Sequence, residues 1–142
     1  MFTHILLASD GSECALKAAE SAAAIAARFD SSLTILNVYH PQAITAPFEA
    51  PVSICMSDAT IAALQDEAVC RAGHVVRGYK IKYQIRKEIG IPASEIVRFA
   101  QEKSCDLIVV GSRGLNAFQS FLIGSVSDGV MHHAHCPVLV VR

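Results

Sequence analysis

The sequence predicts an α/β fold: a single open five-stranded parallel sheet in the order 3-2-1-4-5, with helices on both faces. Three observations predict it. Five short apolar runs of strand length recur along the chain. Four of them are nearly continuous in Ile, Leu and Val, as strands covered on both faces require. Helical periodicity fills the intervals, and strands alternating with helices pair in parallel.

The first strand is "HILLA" (4–8). The alanine-rich "SECALKAAESAAAIAARF" (12–29) follows, with Leu16, Ala19, Ala23, Ala26 and Ala27 along one helical face. "LTILNVY" (33–39) is the second strand. Residues 40–57 hold Pro41, Pro47 and Pro51 without a period, the mark of a mobile surface loop. "DATIAALQDEAVCRAGHVVRG" (58–78) is a helix that starts with Asp58 as its cap and ends near Gly78. "IKYQIRK" (81–87) alternates apolar and polar residues, which suits an edge strand. "PASEIVRFAQEK" (92–103) opens on a proline suited to an early helical position and turns Ile96, Val97, Phe99 and Ala100 inward. "DLIVV" (106–110) is the fourth strand. "SVSDGVMHHAH" (125–135) is a short last helix stopped by Cys136-Pro137, and "PVLVV" (137–141) is the fifth strand.

A chain of 142 residues suits one domain, 1–142, with one core. Its 52% hydrophobic and 18% charged residues suit a folded globule. A formal net charge of −1 leaves no general basic field, so nucleic acid is not an expected partner. No apolar run approaches the roughly 20 residues that cross a bilayer, so a membrane is not expected either. The start, "MFTHILLASDGS", is short, lacks a basic lead and soon meets Asp10, so it reads as a strand and not a signal peptide. A cytoplasmic location is the corresponding expectation. The five cysteines are scattered without C-x-x-C spacing and read as reduced thiols, most of them small core residues.

Two βα turns are unusual. In an open α/β sheet, ligands bind at the carboxyl ends of the strands where the strand order reverses. The expected order sets "ASDGSE" (8–13) beside "VVGSRGLNAFQSFLIGSVS" (109–127) at that reversal. In the second turn, Gly111 and Gly114 let the backbone approach a ligand. Gly124 and Ser125 open a helix whose free N–H groups favour an anion. Ser125 and Ser127 add hydroxyl donors, and Arg113 adds a positive charge. Together they suit a phosphate chain. Neither G-x-x-x-x-G-K-[ST] nor G-x-G-x-x-G occurs, so a nucleotide site here belongs to another class. The first turn offers Ser9, Asp10, Gly11 and Ser12. A carboxylate facing a polyphosphate calls for a cation between them, and Mg²⁺ typically joins one or two carboxylates to substrate phosphates. The end of the second strand, "NVY" (37–39), would border the same cleft, where backbone groups could read an adenine edge.

These residues resemble the universal stress protein family over essentially the whole chain. "ILLASDGSECALKAAESAAAIA" is similar to its first strand and helix, and "DLIVVGSRGLNAFQSFLIGSVSDGVMHHAHCPVLVVR" to its hallmark region. Gly111, Gly114, Gly124 and Ser125 fit the G-x2-G-x9-G-[ST] spacing of its ATP-binding members. The resemblance implies a Rossmann-like fold of the adenine nucleotide alpha hydrolase type. It implies ATP, ADP or AMP held on Gly111, Gly114, Gly124, Ser125 and the neighbouring Val126 and Ser127. It implies Ser9 and Asp10 near the phosphates and Mg²⁺, and Val38 beside the adenine through its backbone. It also implies a homodimer through the last strand, 137–141. It assigns nothing to residues 40–57 and names no protein partner.

Each residue also has a plainer structural explanation. Asp10 can cap the first helix or shape the turn, and the motif glycines can be turn residues with Ser125 as a cap. Arg113 can be a solvated side chain, and Val38 an ordinary sheet residue. The cluster His132, His133, His135 and Cys136 invites a zinc reading, but its spacings are poor and a helix C-terminus favours histidine. The leading expectation is a dimeric nucleotide-dependent regulatory protein of the stress response. The alternatives are a slow ATPase and a nucleotide-free partner-binding scaffold. Beyond Asp10 the sequence offers no positioned base or nucleophile, so hydrolysis is expected to be slow or absent.

Overall fold

The computed structural model describes residues 1–41, 56–114 and 123–142. Its strands are β1 (His4–Ala8), β2 (Ser32–Tyr39), β3 (Tyr83–Ile89), β4 (Leu107–Gly111) and β5 (Val138–Val141). Its helices are α1 (Glu13–Phe29), α2 (Asp58–Arg77), α3 (Pro92–Glu102) and α4 (Ser125–His133). The strands form one sheet in the order β3-β2-β1-β4-β5, and every neighbouring pair is parallel. Most of the expected 40–57 loop, with Cys55, falls outside the described residues.

The side-chain alternation of the central strands divides the core. Ile5 and Leu7 face one cluster with Ile35, Val109 and the helices α1 and α2. Leu6 faces the other with Leu36, Ile108 and the helices α3 and α4. Ile5, Leu6 and Leu7 are fully buried, so β1 is the axis of the molecule. β3 lies at one edge, as its alternating pattern predicts, and most of its side chains are exposed.

Several details differ from the sequence expectation: β3 runs from Tyr83 to Ile89 instead of 81–87, α4 ends at His133 and not at 135, and three differences concern the helices' faces and caps. α1 buries Ala15, Ala18, Ala19, Ala22, Ala23 and Ala26, while Leu16 is half-buried and Ala27 exposed. Alanine at so many positions carries little information about which side faces in. α2 is capped by Ser57, whose hydroxyl accepts the Thr60 N–H at 3.2 Å, and Asp58 is its first helical residue. In α3, Ile96, Phe99 and Ala100 are buried but Val97 only partly so.

The topology positions the site. β1 and β4 are neighbours in register, Ala8 opposite Val110, yet their connections run to opposite sides. The chain segments leaving these two strands therefore emerge side by side, at the place where open α/β sheets bind their ligands.

Candidate functional site

The turn after β1 is built from backbone upward. The Ser9 N–H donates to the Leu36 carbonyl at 2.9 Å, and the Ser9 carbonyl accepts the Asn37 side-chain amide at 2.9 Å. The Ser9 hydroxyl accepts the Gly11 N–H at 3.3 Å. Gly11 adopts φ +80°, the left-handed region that favours glycine. A Cβ there would also stand 3.1 Å from the Ala68 Cα of α2. From the same helix, the Arg71 guanidinium donates to the Gly11 carbonyl. Asp10 Oδ1 accepts the Ser12 N–H at 2.9 Å, closing the turn. Ser12 then caps α1, its hydroxyl accepting the Ala15 N–H at 3.2 Å.

The turn after β4 packs against this one. A Cβ at Gly111 would lie 2.8 Å from the Cys14 carbonyl carbon and 3.0 Å from the Ala15 nitrogen, both backbone of α1. A Cβ at Gly114 would lie 2.7 Å from Asp10 Oδ2. The Ser12 hydroxyl lies 3.4 Å from the Arg113 carbonyl, a long contact across the two turns. Between the glycines, Ser112 is buried. Its N–H donates to the Val141 carbonyl at 2.7 Å, and its carbonyl accepts the Gly124 N–H at 2.6 Å. The second hydrogen bond folds the two halves of the G-x2-G-x9-G-[ST] pattern onto one another. Residues 115–122 of that pattern lie outside the described residues.

α4 begins at Gly124, in extended conformation, with no side chain capping it. The first N–H groups of a helix have no intrahelical acceptor, so this end is a place for an anion. Ser125 and Val126 are exposed on the first turn. Ser127 is buried, and its hydroxyl donates to the Gly111 carbonyl. That hydroxyl fastens α4 to β4. Arg113 is exposed at the rim, and Val38 is half-buried at the carboxyl end of β2, opposite Glu88 of β3. One end of β1 and β4 thus gathers Ser9, Asp10, Gly111, Arg113, Gly114 and Gly124, with Ser125, Val126 and Ser127 on the adjoining helix.

Asn37, Arg71 and Ser112 were not anticipated as supports. Asn37 carried a faint signal, a polar residue inside an apolar strand. Arg71 stands 60 residues from the carbonyl it holds, and nothing local marks it. The histidine cluster lies at the far end of α4 from these turns. His132 and His133 donate from Nδ1 to the Asp128 and Gly129 carbonyls one turn back, at 2.8 and 2.9 Å. Among the described residues, no three His, Cys, Asp or Glu side chains are grouped to hold a metal. Likewise, no described helix is long and apolar enough to cross a membrane.

A doubly wound parallel sheet, with two interlocked turns and a helix N-terminus at its reversal, defines an α/β domain whose polar and glycine residues gather at the switch point. Within that class, the chain belongs to the Universal stress protein family, whose pattern it matches over residues 1–142. It is 33% identical over 145 residues to a universal stress protein of Methanocaldococcus jannaschii, covering 100% of this chain and 83% of the relative. Among solved structures it resembles universal stress protein UspA from Lactobacillus plantarum, with a TM-score of 0.75, 29% identity and 99% and 98% of the two chains covered. It also resembles a universal stress protein solved in complex with cAMP, with a TM-score of 0.73, 27% identity and 99% and 97% coverage.

Proposed function

We propose that this chain binds an adenine nucleotide, ATP with Mg²⁺, at the β1 and β4 turns. We read it as a homodimeric regulatory protein of the stress response. The observation that carries this reading is the meeting of the glycine pattern with itself and with Asp10. The Ser112 carbonyl holds Gly124, and Gly114 faces the Asp10 carboxylate with no side chain between. A cradle that a Cβ would fill, beside a helix N-terminus, suits a phosphate chain. The complex of a related protein with cAMP supports an adenine ligand.

In this reading the N–H groups of Ser125 and Val126 and the turn Gly111–Gly114 hold phosphate oxygens. Arg113 screens their charge from the rim. Mg²⁺ would relieve the repulsion between Asp10 and the phosphates, and Asp10 is the carboxylate placed to bind it. Val38 presents its backbone to the base. Among the described residues the site adds no base or nucleophile to Asp10, so turnover is expected far below the roughly 1–10³ s⁻¹ of ordinary enzymes. The free thiols among the described residues suit a cytoplasmic setting.

A second reading, a nucleotide-free scaffold, draws on one observation. Gly111 is needed for packing whatever the ligand, because a Cβ would enter the α1 backbone. Nucleotide analysis separates the readings. The purified chain is unfolded, and its supernatant is resolved against AMP, ADP, ATP and cAMP standards. Calorimetry with each nucleotide, with and without Mg²⁺, follows on stripped protein. About one adenine nucleotide per chain, or a Kd tighter than about 1 mM, is expected. An empty protein with no such affinity would hand the site to the scaffold reading.

A further inference from the structure

The opposite end of β4 carries different chemistry. Cys105 lies just before β4 and Cys136 just before β5. Cys105 is buried and Cys136 half-buried, and both pack against the α3–α4 side of the core. Both also line one cavity of about 170 Å³, together with Val97, Ala100, Ser104 and His135.

Each cysteine stands two residues ahead of its strand, and the two strands are paired. Ile108 stands opposite Val138, and the Ile108 N–H donates to the Pro137 carbonyl at 3.0 Å. Neighbouring strands lie about 4.8 Å apart, and both cysteines border the one cavity beside them. Disulfides span about 4.4–6.8 Å between Cα atoms.

We propose that Cys105 and Cys136 are a modification site, closing to a reversible disulfide by exchange with a small disulfide of the glutathione class. The Cys136 thiolate, the more exposed, attacks one sulfur of the oxidant and expels a thiolate, leaving a mixed disulfide. The Cys105 thiolate then attacks the Cys136 sulfur, and the second thiolate leaves. The two cysteines lose two electrons and two protons, and the oxidant gains both to become two thiols.

The surroundings set the speed. Burial pushes the Cys105 thiol up to about 11, and the charges of Cys136 and Asp106 add to it. Burial raises Cys136 also, with Asp106 adding, against a lowering hydrogen bond from the Ile108 N–H. His4 Nδ1 lies 3.6 Å from Cys105 Sγ, and His135 borders the cavity. Little thiolate is present at neutral pH, so exchange is slow. The pair answers a sustained shift of redox poise and not a brief pulse of oxidant. Its closure ties together the base of a segment that includes β4, the glycine pattern and α4. The proposal stands apart from the nucleotide reading.

The test incubates the full chain with oxidised glutathione at about pH 8.5, near the pKa of an ordinary thiol. Remaining thiols are then alkylated under denaturing conditions and peptides mapped without reduction. The expected product is a peptide linking Cys105 to Cys136, with Cys14, Cys55 and Cys70 alkylated. The Cys105→Ala variant should stop at a glutathione adduct on Cys136. Wild-type protein that stops at that adduct, links another pair, or leaves both thiols alkylated would overturn the proposal.

Discussion

Gly114 and Gly111 look alike in the pattern but differ in what surrounds them. Among the described residues, a Cβ at Gly114 meets only the Asp10 carboxylate, the tip of a side chain that can turn aside. Gly114→Val is therefore expected to cost about 1 kcal/mol of stability, the scale of one hydrogen bond. Titration calorimetry of the same variant should show at least a tenfold loss of ATP affinity. A Cβ at Gly111 meets the backbone of Cys14 and Ala15, which cannot turn aside. Gly111→Ala should cost about 1–3 kcal/mol in denaturant melts whether or not nucleotide is added. Asp106 gives a pH-dependent case. Burial works to raise its pKa, but the Thr3 N–H and hydroxyl and the His4 N–H outweigh that and hold it below 3.8. A lowered folded-state pKa contributes stability above the unfolded value, which is lost as pH falls through the folded one. Asp106→Asn should therefore cost about 1 kcal/mol at neutral pH, discounted for solvent exposure. Thermal melts of variant and wild type should converge as the pH falls below the ordinary carboxylate range. The glycine spacing and Asp10 were legible at this scale because they are consecutive or nearly so. Arg71 was not, because the turn it holds is distant in sequence.

Helix ends and faces are less legible in the sequence. Ser57 and Asp58 are both good capping residues, and sequence alone does not choose between neighbours of equal aptitude. The structure gives the capping hydrogen bond to Ser57 and the favourable first-turn charge to Asp58. Ser57→Ala is expected to cost about 1 kcal/mol and Asp58→Ala only about 0.3–1 kcal/mol, measured by urea melts. The roll of α1 escaped the sequence for a related reason. Its inner face is alanine throughout, and hydrophobic weight placed the single leucine inward. The close approach of α1 to Gly111 of β4 fits an inner face made of alanine alone.

The sheet itself was the most legible level. Near-continuous apolar runs mark buried parallel strands, and the single alternating run marked an edge, which is where β3 lies. The other edge is β5, whose four residues are all half-buried and bonded on one side to β4. A terminal apolar edge invites a partner, and pairing with its twofold copy would cover it. Val140→Lys should shift the proposed dimer toward monomer in light scattering while a cooperative melt is retained. An unchanged mass would count against that interface.

The order of the strands also governs how the molecule bears force. β4 lies between β1 and β5, and all three run in the same direction. Tension between His4, at the start of β1, and Val141, at the end of β5, acts along the strand axes in opposite directions. Both ladders are then loaded in shear, and their hydrogen bonds share the load and must give way together. Tension applied across the strands would open the same bonds one after another, as a zipper does. Held by those two points, the domain should resist stretching far better than a fold with antiparallel terminal strands.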